Sequence, residues 1–187
     1  MTGQLSIRPE PIRAGGERDV KKALIAAGVQ YAALPYRLVG RRVEIMLITS
    51  RATRRWVVPK GWPMKGVRPE DAAAREALEE AGLAGQIEDV PVGAYSYIKA
   101  LKEGRAAPVR VTLFPLLVQE QAETWKEQGQ RDRRWFPYHE AAFRVAEPGL
   151  RRLIRQFGRA RSPRILRRPS LSLNLPLGLP MTFPSLF

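Results

Sequence analysis

Residues 61–83 read GWPMKGVRPEDAAAREALEEAGL, and the organisation of the chain follows from how this stretch winds. At about 100° per residue, residues 74–83 form a helix with Ala74, Ala77, Leu78 and Ala81 on one small apolar stripe. Glu76, Glu79 and Glu80 then fall together on the opposite face. Carboxylates one turn apart repel one another and destabilise a bare helix. A hard divalent cation such as Mg²⁺ or Mn²⁺ cancels that repulsion, because it prefers carboxylate and water oxygens. The flanks agree: Pro69 suits a first turn, Glu70 and Asp71 suit the positive N-terminal end, and Gly82 suits the C′ position. Upstream, Pro59–Pro63 and Lys65-Gly66 make a Gly/Pro-punctuated loop, so loop and helix together can hold a metal against a phosphate chain. Taken alone, an Ala/Glu-rich helix with a charged face reads as a solvated surface helix.

The other 164 or so residues set bounds. A chain of 187 residues is long enough for one domain with a real core, and a hydrophobic content of 44% is that of a globular protein. There is no cysteine, which excludes a disulfide framework, a thiolate metal site and a thiol nucleophile. No signal-peptide core and no apolar run of membrane-spanning length appears, so no transmembrane segment is expected and the expected compartment is cytoplasmic. With 32 Lys and Arg against 18 Asp and Glu, the net charge of +14 favours polyanionic partners: a phosphorylated small molecule, RNA, or an anionic membrane surface.

Along the chain, residues 1–29 read as a polar arm with a short helix over Lys21–Gly28. Strands are expected over Gln30–Leu38 and Arg42–Ser50, the latter from the period-2 series Val43, Ile45, Leu47, with Pro35 marking the first as an edge strand. Trp56–Val58 is a short strand, and Gln86–Ile98 one long strand bent at Pro91. A polar hairpin loop over Lys99–Ala107 leads to a strand over Val109–Gln119, where Pro115 signals an edge or a bulge. A polar loop, a last strand at Arg134–Phe136, and helices over Tyr138–Phe143 and Pro148–Phe157 complete the domain at residues 30–158. Strands with helices on both sides predict an α+β class, an α/β/α sandwich around a mixed β-sheet. Residues 159–187, basic and then Leu/Pro-rich, read as a flexible tail, with docking on an anionic membrane as the sharper alternative.

The spaced pattern as a whole resembles the Nudix box, G-x5-E-x7-R-E-U-x-E-E-x-G-U, where U is a bulky aliphatic residue. Gly61, Arg75-Glu76, Glu79-Glu80 and Gly82-Leu83 match it, while Val67 stands at the first glutamate and the small Ala77 at the first aliphatic position. The resemblance implies the Nudix fold over roughly Gln30–Phe157. It also implies hydrolysis of a pyrophosphate linkage with Mg²⁺ or Mn²⁺, in a nucleoside-diphosphate-X type substrate. On it, Glu79 and Glu80 are metal ligands, Glu76 is a further ligand or base, and the backbone carbonyl of Lys60 completes the coordination. Arg75 orients Glu76 through a charge-assisted bond, and Glu127 is the loop base, with Glu120 and Glu123 as rivals. The run Arg55–Trp62 is similar to the entry segment of the diphosphoinositol polyphosphate and diadenosine polyphosphate hydrolase branch.

Arg51, Arg54, Arg55, Lys60 and Lys65 form a candidate polyphosphate cradle, to which Lys99, Lys102 and Arg105 add. Each alone reads as an ordinary surface cation, and only together do they make a cradle. Trp62 and Trp125 are candidates to stack on a base or to pack, and His139 is a solvated or capping residue. Two readings stand beside the leading one: removal of pyrophosphate from RNA 5′ ends, and an inactive binding module on the same scaffold, which Val67 keeps open. A homodimer is compatible with the sequence, although no exposed apolar stripe demands it.

Overall fold

Val43, Ile45 and Leu47 alternate with Met46 and Ile48 along one strand, and all five are buried. A strand buried on both faces needs a layer on each side, and the computed structural model, which describes residues 28–100 and 106–162, supplies both. Residues 1–27 of the expected arm, the 101–105 loop with Lys102 and Arg105, and the tail from 163 onward lie outside the described residues, while Gly28 and Val29 belong to the first strand and not to the arm.

Eight strands form one mixed sheet: β1 (Gly28–Val39), β2 (Arg42–Thr49), β3 (Trp56–Val57), β4 (Lys60–Gly61), β5 (Leu83–Ile87), β6 (Gly93–Ala100), β7 (Ala106–Gln121) and β8 (Arg133–Pro137). The β1–β7 pair is parallel and the other pairs are antiparallel. Helix α1 (Pro69–Ala81) covers one face, packing Ala73, Ala77 and Ala81 on Ala33, Met46, Ile48, Phe114 and Leu116. Helices α2 (Tyr138–Arg144) and α3 (Pro148–Arg161) cover the other, with Leu150, Leu153, Ile154 and Phe157 on Leu34, Ile45, Val111 and Leu113. This is the α/β/α sandwich expected from the order of elements.

Three local expectations are corrected. The segment 86–98 is two strands, β5 and β6, separated at Pro91 and laid in turn along one side of β7. Pro35 is not on an edge, since β1 lies between β7 and the pair β4 and β2. The strand tolerates it because β4 pairs as far as Ala32 and β2 begins at Tyr36, so the missing N–H falls where one neighbour hands over to the next. Pro115 repeats the device on interior strand β7, between the last β6 partner, Leu113, and the first β5 partner, Leu116.

The third correction concerns α1. Its buried row is Ala73, Ala77 and Ala81, so the stripe is rotated by about 50° from the one read in sequence. Leu78 is exposed and Ala74 only half-buried. Three alanines let the helix backbone approach the sheet closely, which a row containing Leu78 would not.

Candidate active site

The rotation of α1 decides how deep each of its carboxylates lies. From the centre of the alanine row, Glu80 is offset by about 60°, Glu76 by about 100° and Glu79 by about 160°. Glu80 is accordingly buried, and Glu76 and Glu79 are both half-buried. All three line one cleft of about 540 Å³.

Strand β4 positions two of them through its backbone. The Lys60 N–H donates to Glu80 Oε2 at 3.1 Å. The Glu76 carboxylate lies directly on Gly61, where a Cβ would meet Oε1 at 1.8 Å. Gly61 is therefore required by close approach. Gly82 is required for a different reason: it closes α1 in the left-handed region at φ 64°, its N–H reaching the carbonyls of Ala77 and Leu78.

The loop 122–132 closes the cleft from the C-terminal end of α1. It is tied there by backbone bonds from Ala122 to Gly82 at 2.8 Å and from Glu127 to Glu79 at 3.1 Å. Arg133 donates to the carbonyl of Ala81 at 2.6 Å, giving the helix end the cation its own last turn lacks. This places Glu127 in the cleft, whereas Glu120 and Glu123 are exposed outside it. Lys126 pairs with Glu79 at 2.6 Å. Arg131, itself buried, pairs with Glu80 and with Glu127, the latter at 2.6 Å.

Of the expected cradle, Arg51, Arg55 and Lys60 line the cleft, as does Lys99. Arg54 and Lys65 do not. Arg54 turns to the Gln130 carbonyl, 3.0 Å away, and to Asp132, pinning one loop to another from a left-handed backbone at φ 54°. Lys65 stays exposed in the turn before α1. Arg75 does not reach Glu76; it is exposed and contacts Met64 Sδ at 3.6 Å. Burial lowers the Lys60 ammonium, against the attraction of Glu80 and Glu147.

The far wall was not legible in the sequence. Gln30, Tyr95, Tyr97 and Glu147 form it, with Tyr97 Oη donating to Gln30 Oε1 at 2.9 Å. Trp62 stands at the rim with the Lys99 ammonium 4.5 Å from its ring. Trp125 instead packs against Gly82 and under the Arg133 guanidinium, at 3.8 Å. His139 is exposed at the start of α2, beside Tyr138. For Arg131 one signal existed, its spacing of four from Glu127; nothing near Glu147 or Gln30 set them apart.

The carboxylates interact. Burial first, then Glu80, Glu79 and Glu127, push the Glu76 carboxyl up to about 6. A folded-state value above the unfolded one means stability that is complete below about pH 4.5 and lost as pH rises through 6. Glu76→Gln is therefore expected to stabilise the metal-free protein at pH 7 by on the order of 1 kcal/mol, discounted for partial solvent contact, and to give no gain at pH 4. Urea melts of both proteins in EDTA at the two pH values measure the difference. An equal gain at both would remove the electrostatic account.

Among the described residues no helix is long and apolar enough to cross a membrane. A match to the family model of the NUDIX domain spans residues 31–157. Nudix hydrolase 17, mitochondrial, of Arabidopsis thaliana is 35% identical over 115 residues, 58% of this chain and 61% of that protein. Diphosphoinositol polyphosphate phosphohydrolase 3-alpha of Mus musculus is 33% identical over 104 residues, 54% of this chain and 59% of that protein. The chain thus spans less than two thirds of the length of these relatives. A crystal structure of a C. elegans Ap4A hydrolase binary complex matches in fold, with TM-score 0.55 and 21% identity over 72% of this chain and 97% of that one. The chain belongs to the Nudix family, its NUDIX domain running from residue 31 to residue 157.

Proposed function

We propose that the chain is a divalent-metal-dependent pyrophosphohydrolase that cleaves a nucleoside-diphosphate-X type substrate. The substrate classes proposed first are dinucleoside polyphosphates and diphosphoinositol polyphosphates. One observation carries the reading: Glu76, Glu79, Glu80 and Glu127 share a cleft with Arg51, Arg55, Lys60 and Lys99. Acids and cations interleaved along one cleft, as in the pairs Arg51–Glu127 and Arg55–Glu147, suit a substrate that is itself an anion and arrives with a counter-cation.

The donor set fits Mg²⁺ or Mn²⁺. The cleft offers carboxylate oxygens, the chain has no thiol, and the lone imidazole lies elsewhere. Glu76, Glu79, Glu80 and the Lys60 carbonyl would hold the ion. When bound, it would supply charge neutralisation at the diphosphate and acidify a water. The chain's own residues do the rest. Arg51 and Arg55 fork onto phosphate oxygens, and Lys60 and Lys99 add point charges. Glu127 receives the proton of the attacking water at a carboxylate oxygen. With the anhydride fixed in the cleft, positioning and electrostatics account for most of the rate.

The mouse relative's name favours the inositol class at the level of the branch. A second reading, a binding module without turnover, draws on Val67 and on the absence, among the described residues, of three acids gathered at metal-ligand positions. Phosphate release from a substrate panel decides. It is run with Mg²⁺ and Mn²⁺ on diadenosine polyphosphates, diphosphoinositol pentakisphosphate, ADP-ribose, nucleoside triphosphates and 5′-triphosphorylated RNA, with EDTA as blank. Turnover of one class names the branch, and turnover of none by folded protein that binds Mn²⁺ favours the binding module.

A further inference from the structure

Helix α3 has two faces of opposite character. Leu150, Leu153, Ile154 and Phe157 are buried against the sheet, while Arg152, Arg155 and Arg159 are exposed on the other side. With Arg151 and Gln156 these three border a surface depression of about 320 Å³, and none of them lines the carboxylate cleft. Like charges one turn apart destabilise a helix, and Arg151 with Arg155, Arg152 with Arg155, and Arg155 with Arg159 all stand at that spacing. Elsewhere an acid relieves such a cation: Glu140 pairs with Arg144 at 2.6 Å on α2, and Glu88 pairs with Arg161 at the end of α3. The row itself has no such relief. The helix contains no Asp or Glu, and Arg152, Arg155 and Arg159 make no hydrogen bond or ion pair among the described residues. Arg151 alone is fixed, its Nη2 donating to the Val145 carbonyl at 3.1 Å.

We propose that this face of α3 is a binding surface for the phosphate backbone of single-stranded RNA, separate from the carboxylate cleft. The proposal does not depend on what the cleft hydrolyses. From Arg152 to Arg159 the row runs about 10 Å along the helix, so one small anion cannot neutralise both ends, whereas a chain of phosphates can. A flexible strand can follow the row, while a stiff duplex touches a convex helix surface at fewer phosphates. Guanidinium forks on phosphate oxygens read no bases, so binding is expected to be indifferent to sequence. An anionic membrane is the rival partner. A helix that lies on a membrane sinks its apolar face into the lipid. In α3 that face is committed to the core, and no large apolar residue of the helix is exposed.

Fluorescence anisotropy of a labelled 5′-hydroxyl RNA oligomer tests the surface, with the full chain in EDTA so that hydrolysis is silent. Wild type is compared with the triple variant Arg152→Gln, Arg155→Gln, Arg159→Gln over a range of salt. Each phosphate contact on a single strand adds about 0.7 to the salt slope. The triple variant is therefore expected to show a slope shallower by about 2 and an affinity at least about tenfold lower at about 0.1 M salt. Arg41, Arg110 and Arg134, exposed cations on other elements, are changed together to Gln as the control for diffuse charge. That control is expected to lose less than about threefold, because salt screens distant charges. Equal losses in the two variants would mean that RNA follows net charge alone, which overturns the proposal. Wild type that binds no RNA at low salt overturns it as well. Vesicles of phosphatidylcholine and phosphatidylserine are run beside the RNA. Vesicle binding that the α3 variant loses, with its RNA binding intact, would assign the face to a membrane instead. Thermal melts verify that the variants fold, as exposed Gln in a helix should allow. The wild type answers without any variant: the backbone amides of residues 151–159 must shift on adding RNA, and unmoved amides there reject the surface.

Discussion

Glu80→Gln is expected to lower metal-dependent turnover by about 10³-fold or more while leaving a folded protein. Glu80 is the deepest of the three helix carboxylates, and its position is over-determined: the Lys60 N–H holds one oxygen and Arg131 the other. Glutamine has the same shape and keeps a carbonyl oxygen to accept one of these bonds. What it lacks is the negative charge that a divalent cation needs. Burial already raises the Glu80 carboxyl, against the pull of Arg131 and Lys60, so the ionised form carries a desolvation cost that the amide does not. Against that gain stands the lost ion pair, but Arg131 keeps Glu127 and the Thr49 carbonyl. The two effects oppose each other, and the net change in stability is expected within about 2 kcal/mol. The measurement is kcat at saturating Mg²⁺ beside a thermal melt in EDTA. Turnover within tenfold of wild type would remove Glu80 from the reaction.

The same residue shows how far a sequence can be read. Because a helix has a fixed period, Glu76, Glu79 and Glu80 are on one side of α1 whatever surrounds it, and the need for glycine at 61 and 82 came with the motif. Which side of the helix meets the sheet is not local information. The alanines at 73, 74, 77 and 81 offer two overlapping stripes, and the sheet selects the one without Leu78. The strands were legible where one face alternated, as in Val43, Ile45 and Leu47. The prolines misled, because Pro35 and Pro115 sit at handovers between neighbours that only the assembled sheet defines. Arg131 and Glu147 reach the cleft from distant elements, Arg131 with only its spacing of four from Glu127 as a signal and Glu147 with none. Arg75, adjacent to Glu76, points away because a one-residue step turns a side chain by about 100°.

Gly61→Ala should separate activity from stability, with turnover falling by about 10²-fold and stability by only about 1–2 kcal/mol. The added methyl would stand 1.8 Å from Glu76 Oε1, 2.2 Å from Cδ and 2.8 Å from Oε2. All three atoms are the far end of a flexible side chain, so the clash is relieved by rotating the carboxylate away. The fold survives, but the carboxylate leaves the place that β4 reserves for it beside Glu80. Gly85→Ala provides the opposite case. There the methyl would meet the Leu117 carbonyl oxygen at 2.0 Å and the Gln119 nitrogen at 2.9 Å, backbone atoms next to the register shift between β5 and β7. Backbone does not rotate aside, so a stability loss of about 3 kcal/mol or more is expected, with normal turnover per folded molecule. Urea denaturation together with kcat corrected for the folded fraction distinguishes the two glycines. If Gly61→Ala kept wild-type kcat, the position of the Glu76 carboxylate would not matter to the reaction, and Glu76 would leave the proposed ligand set.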